Sequence, residues 1–229
     1  PPDRFLVDEH HPLTTDGSFM VWVRFRQHPD RFDEHCKEVA AQLDREGYKP
    51  ATPEQAAALE VGRVRAGNPL QRRPLTAFRP ALGPTAGFDY TQDFYGRDCP
   101  RHAHVRKMNP RNDKAAEVAI LRRGIPFDQR AEPGDLGEGL VFVCYQASIE
   151  RQFERLQGYW ANAGYEPEAN ASSDPLISQA ARSPEGCAVE IPWPDGGSIA
   201  MTIHNDWIEP TGGVYAFVPS LPALHLLFD

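Results

Sequence analysis

Long apolar runs, paired cysteines and an excess of positive charge are all missing from this sequence of 229 residues. No apolar run approaches the length needed to cross a bilayer as a helix, so no membrane span is expected. The four cysteines, Cys36, Cys99, Cys144 and Cys187, stand far apart with no CxxC pair, which excludes a zinc ribbon and a disulfide framework. A formal net charge of -8 argues against a general nucleic-acid binder. No internal repeat is present. The chain opens at Pro1 with neither Met nor a signal-like segment, which reads as a removed start or a processed product and gives no address.

What is present fits a soluble globular protein: 41% apolar and 24% charged residues, with 22 prolines and 18 glycines that predict many turns. Residues 1–17 are polar and read as an exposed arm. Ser18–Phe25 (SFMVWVRF) is rich in aromatic and β-branched residues and predicts a strand. A helix is expected over 31–46, with Phe32, Cys36, Val39, Ala40 and Leu43 on one face and Gly47 closing it. Thr52-Pro53-Glu54-Gln55 marks a second helix start, expected to run to about Ala66 and stop at Gly67. Residues 68–113 show little periodicity, and a connection this long is expected to be functional. A short strand at Ala119–Leu121 presents Arg122 at its end. Gly139–Gln146 (GLVFVCYQ) predicts a strand covered on both faces. Ser148 then caps a helix with Ile149, Phe153, Leu156 and Trp160 as its stripe. Residues 165–198 read as irregular. Strands near Ile199–Ile203 and Val214–Phe217 follow, then a last helix from Ser220 with Leu221, Leu224 and Leu227 inward. This order implies an α+β fold, a ferredoxin-like antiparallel sheet with helices on one face.

The run Gly96–Phe127 organises the rest. Between Arg97 and Arg111 lie Arg97, Arg101, Arg106, Lys107 and Arg111 against one acid, Asp98. They form either a solvated loop or a site for carboxylates or phosphates. His104 is either a satisfied turn residue or a metal ligand. As a ligand it would bind through one ring nitrogen while the other donates to an acid that fixes the tautomer. A zinc site of Cys99, His102 and His104 lacks a nearby fourth donor. Arg122 ends an apolar segment, where its charge is costly unless used; it either keeps its head in water or stabilises an anion. Arg123 points to the opposite side of the pleat. Leu140 and Phe142 share one side of their strand, as core or as the wall of a flat apolar cofactor. Trp22, Trp160, Trp193 and Trp207, with the tyrosines, are either packing or electron carriers.

The run CPRHAHVRKMNPRND resembles the Cys-Pro-x-x-Ala-His-x-Arg-x-x-Asn-Pro-Arg signature of dye-decolourising (DyP-type) haem peroxidases. DGSFMVWVRFRQ is similar to the strand that opens that family's second half. ILRRGIPF, GLVFVCYQASIERQFERLQGYWAN, DPLI and TGGVYAFVPSLPAL follow in the family's order. The resemblance implies one half of a dimeric α+β barrel, with residues 18–229 as a haem-binding C-terminal domain behind the arm 1–17. It implies haem b, with His104 as proximal iron ligand, Arg122 as distal arginine, Leu140 and Phe142 lining the distal face, and Arg111, with Arg106 in second place, on a propionate. The motifs do not place the acid partner of the ligand imidazole; Glu190, in the apolar stretch VEIPW, is offered as a guess. The implied activity is reduction of hydrogen peroxide with oxidation of aromatic, dye-like donors.

One part of the pattern is missing. The family's first half carries Gly-x-x-Asp-Gly, whose aspartate moves the peroxide's proton, and no such motif occurs here. Thr15-Asp16-Gly17 lacks the first glycine. The expectation is therefore a separate N-terminal-domain subunit or fragment that supplies the motif, within an oligomer. A non-enzymatic haem-binding or assembly subunit is the alternative, and a haem-free structural subunit a third.

Overall fold

The computed structural model describes residues 4–7, 11–70, 88–129, 137–193 and 196–228. Parts of the arm (1–3 and 8–10), of the long connection (71–87) and of the loop after the second strand (130–136) lie outside the described residues. The chain divides into two compact units.

The first unit holds residues 1–28, 116–158 and 207–229 and is built on an antiparallel sheet. Its strands are β1 (Ser18–Gln27), β2 (Leu121–Asp128), β3 (Glu138–Gln146) and, numbered last along the chain, β6 (Ile208–Val218), in the order β2-β3-β1-β6. A continuous apolar run, Phe19–Val23, suits β1 to its central place, paired on both sides. Across the sheet the register sets Val23 opposite Phe142 and Phe142 opposite Gly124. Opposed residues in a ladder share a face. Arg122, Gly124 and Pro126 therefore lie on one face with Cys144, Phe142 and Leu140. Arg123 lies on the other with Val143 and Trp22. Gly139 has to be glycine, because a Cβ there would stand 2.0 Å from the Phe25 carbonyl oxygen.

A helix over Ile149–Trp160, wound in the wider π pattern, packs on the Phe142 face. The Phe153 ring lies 6.4 Å from that of Phe142 and 6.0 Å from that of Tyr215. Ser148 caps it as expected: its Oγ accepts from Arg151 N, while Gln152 Oε1 accepts from Ser148 N. Leu156 and Trp160 are buried, with Ile149 and Phe153 half-buried. In the arm, Val7 is buried and the Arg4 carbonyl accepts from Ala147 N and Gln152 Nε2.

Four expectations for this unit need correcting. The strand bearing Arg122 is longer and starts at Leu121, so Arg122 sits near its beginning. The stretch 139–146 is mostly half-buried, not sealed on both faces. The last strand begins at Ile208, ahead of the expected Val214. Helix α5, which closes the chain at Leu221–Phe228, buries only Ala223, and Leu221 and Leu227 point outward. On the Arg123 face, Leu121, Ile125, Val214 and Val218 are exposed at 57%, 50%, 51% and 36%, so this sheet face carries open apolar residues beside Arg123 and Arg24.

The second unit comprises residues 29–115 and 159–206. Helix α1 (Pro29–Arg45) buries Cys36, Val39, Ala40 and Leu43, as its periodicity predicts. Helix α2 (Pro53–Val61) starts where the Thr52 side chain accepts from Gln55 N. It stops earlier than expected, at Gly62, whose φ of 88 ends the helix in the left-handed region. His35 and the fully buried Glu60 join the two helices at 2.6 Å. Two short helices, α3 (His104–Met108) and α4 (Asp113–Glu117), stand in the stretch that shows no periodicity. A hairpin of β4 (Cys187–Pro192) and β5 (Ser198–Ile203) follows, with buried and exposed residues alternating strictly. β4 falls in a stretch the sequence reads as irregular.

Candidate functional site

His104 opens α3. Its side chain keeps 34% exposure beside half-buried Val105, while His102, Ala103, Arg106 and Lys107 have 1% or less. Its Nδ1 lies 2.8 Å from Oδ2 of Asp174, a fully buried carboxylate. The other oxygen, Oδ1, accepts from the backbone N–H of Leu176 at 2.8 Å and of Ile177 at 3.1 Å. The two backbone donors on Oδ1 suit an acceptor-only carboxylate, and against such a group the ring would donate from Nδ1. The lone pair then sits on Nε2, the nitrogen a metal would take.

This overturns the expectation for Glu190. That residue is exposed on β4 and accepts from Ser198 Oγ on the neighbouring strand. Asp174 lies in DPLI, and its hold on the N–H groups two and three residues ahead is an Asx turn. An aspartate before proline in an otherwise irregular stretch was the available signal. Asn205 secures the turn from the far side, donating to the carbonyls of Pro175 and Leu176.

The basic cluster resolves into two classes. The Arg106 guanidinium has five N–H groups, and all five are spent inside the protein. They go to the two oxygens of Glu168 (2.7 and 2.8 Å), to Asp93 Oδ2 (2.9 Å), and to the carbonyls of Cys99 (2.8 Å) and Asp93 (3.0 Å). Against the sequence expectation, that geometry leaves Arg106 no N–H to offer a propionate. Lys107 is buried too, and its ammonium donates to the carbonyls of Ala163, Glu166 and Ser172. Arg111 is half-buried in the left-handed region (φ 61), with its guanidinium 4.3 Å from the centre of the Phe88 ring. Arg101 donates to the carbonyls of Phe94 and Ala169.

Zinc does not fit. Among the described residues no three His, Cys, Asp or Glu side chains gather as a metal site. Cys99 is fully buried, its thiol pushed up to about 12 chiefly by burial. His102 is buried in the neutral form, its ring pushed down to about 4 by the same cause. A group that brings its own equatorial ligands and asks the protein for one imidazole does suit a single outward His104 backed by a carboxylate.

In the first unit, Arg122 is exposed on β2, and Leu140 and Phe142 are half-buried on the same sheet face. Gly124, directly across from Phe142, leaves that face without a side chain between Arg122 and Pro126.

Comparison with known proteins gives the family. The family model for the C-terminal part of Dyp-type peroxidases matches residues 2–172. A multifunctional dye peroxidase of an Amycolatopsis species is 31% identical over 94% of this chain and 50% of its own length. A dye-decolourising peroxidase of Mycetinis scorodonius is 28% identical over 97% of this chain and 48% of its own. Among solved structures, a DyP-type peroxidase of Anabaena is 31% identical with a TM-score of 0.79, matching 99% of this chain and 49% of that one. The chain thus spans about half the length of the relatives it matches. By its signature, its fold and these matches, the chain belongs to the dye-decolourising (DyP-type) peroxidase family.

Proposed function

We propose that this chain is the haem-binding half of a peroxidase, with haem b as cofactor and residues 18–229 as its C-terminal domain behind the arm 1–17. The observation that carries the reading is the outward imidazole of His104 held through Nδ1 by buried Asp174. His104 would bind iron through Nε2, and Asp174 would make that ligand electron-rich by holding the ring proton. Bound haem would supply the redox chemistry, taking up hydrogen peroxide and drawing electrons from an aromatic, dye-like donor. Arg111 would pair with a propionate. The Arg122 guanidinium would stabilise negative charge on the peroxide. Leu140 and Phe142, on the same sheet face as Arg122, would keep water from it.

The proton-moving aspartate would come from a second polypeptide bearing Gly-x-x-Asp-Gly, in a hetero-oligomer with this chain. One observation supports a further layer against this sheet: Leu121, Ile125, Val214 and Val218 stand exposed on one of its faces. A sheet normally buries such a face against another layer. A haem carrier without turnover is the second reading.

The test is steady-state oxidation of an anthraquinone dye by peroxide, using the chain supplied with haemin and with any polypeptide that co-purifies. Saturable turnover that falls about 10²–10³-fold in Arg122→Leu is expected. A haem spectrum without turnover, partner included, would leave only the carrier. No haemin binding would end both readings.

A further inference from the structure

Lys107 has no part in the chemistry above, yet it is a fully buried cation in the same short helix as His104. Its ammonium has three N–H groups, and each meets a backbone carbonyl: Ala163 at 2.5 Å, Ser172 at 2.6 Å, and Glu166. All three acceptors lie on the segment that leads into Asp174. Arg106, next in line on α3, grips the same segment through both oxygens of Glu168. The segment is backbone-strained where Lys107 holds it. Ser172, two residues before Asp174, has φ 60, and Asn170 has φ 56. Non-glycine residues keep such values only when their surroundings impose them. The connections form a ring: His104, α3, Lys107, the loop 163–172, Asp174 and back to His104.

We propose that Lys107 is a positioning residue, whose ammonium fixes the loop 163–172 so that the Asp174 carboxylate stays against the His104 ring. A methylammonium-like charge among three carbonyls suits this task. It is small enough to be enclosed, and it draws three points of one loop together. Burial pushes its ammonium down to about 8, so the group is still protonated at neutral pH, with three donors for three acceptors. The consequence for an iron ligand rests on the haem reading; the consequence for Asp174 does not.

The test compares the whole chain with Lys107→Met, which keeps the stem and removes every donor. In the haem-free protein, amide hydrogen exchange at Leu176 and Ile177 reports the grip of Asp174 Oδ1. We expect protection there to fall about tenfold, with α1 amides unchanged. In the haemin-loaded protein the Fe(III)/Fe(II) potential is expected to rise, because a looser Asp174 makes His104 a weaker electron donor. Leu43→Ala, a cavity in α1, serves as the destabilised control and should move neither readout. If Lys107→Met does not fold, Lys107→Gln, with two N–H donors, carries the same test with smaller changes in the same direction. Unchanged exchange at Leu176 and Ile177 would overturn the proposal. Lost protection with no haemin binding even in the unsubstituted chain would uphold it and defeat the haem reading instead. Lost protection with an unmoved potential would confine Lys107 to a structural role and overturn its positioning of the ligand.

Discussion

Replacing Asp174 by asparagine changes one atom and poses a choice the side chain cannot satisfy. In the native protein, Oδ1 accepts from two backbone N–H groups and Oδ2 faces His104 Nδ1. If the new amide keeps its oxygen on Leu176 N and Ile177 N, its NH₂ faces the ring. Nδ1 must then be the acceptor, the ring proton moves to Nε2, and the lone pair a metal needs is gone. If the amide flips, its NH₂ opposes two N–H donors in a site with no exposure. Leaving buried donors unsatisfied costs about 1–3 kcal/mol each. Either way haemin affinity should drop by about 10–100-fold, the usual loss when the group behind a metal-binding histidine is removed, or about 1.4–2.7 kcal/mol. Haemin titration followed at the Soret band reads the affinity, and urea denaturation of the haem-free protein separates the two outcomes. The first predicts unchanged stability, the second a clear loss. An asparagine variant that binds haemin as tightly as the native chain, with the same spectrum, would refute the role given to Asp174.

Other outcomes follow from the same geometry. Arg106→Met strands the buried carboxylate of Asp93 and the half-buried one of Glu168 and should lower stability by about 3–5 kcal/mol in urea denaturation. Gly139→Ala forces a methyl against the Phe25 carbonyl and should cost about 2–3 kcal/mol by the same assay, with β1 and β3 losing amide protection together. Burial pushes the thiols of Cys36, Cys99 and Cys144 up to about 12 and Cys187 to about 11, so Ellman's reagent at pH 8 should find no reactive thiol natively and four after unfolding. Because folded thiol values lie above the ordinary 9, their contribution is complete below pH 9 and fades as pH rises toward 11–12. Ile125→Lys, on the open sheet face, should change stability by no more than about 0.5 kcal/mol while preventing capture of a second polypeptide in a pull-down.

Local signals were legible where a residue's role is fixed by its sequence neighbours. Thr52 and Ser148 cap helices as expected, and the α1 face emerges directly from its spacing. Strand β4 was not legible, because six residues with cysteine first and proline last resemble a loop until β5 pairs with them. In α5 the spacing of Leu221, Leu224 and Leu227 suggests a buried stripe, but the helix buries only Ala223 and leaves Leu221 and Leu227 exposed. At the site, His104 was identified from its motif, but its partner lies 70 residues away, and an apolar setting pointed to Glu190 instead. The cations of residues 97–111 show the same limit. Their sign is written in the sequence, but Arg106 is consumed by Glu168 as well as by nearby Asp93 and Cys99, and Lys107 by carbonyls of Ala163, Glu166 and Ser172, more than 50 residues away.

The account stands on an iron bond to the His104 imidazole, and a cavity variant tests that bond most directly. Haemin added to His104→Gly should give a weak, altered Soret band, and added imidazole should restore the native band and the iron–nitrogen stretch of the ferrous form. A glycine variant whose haem spectrum matches the unsubstituted chain before any imidazole is added would contradict it.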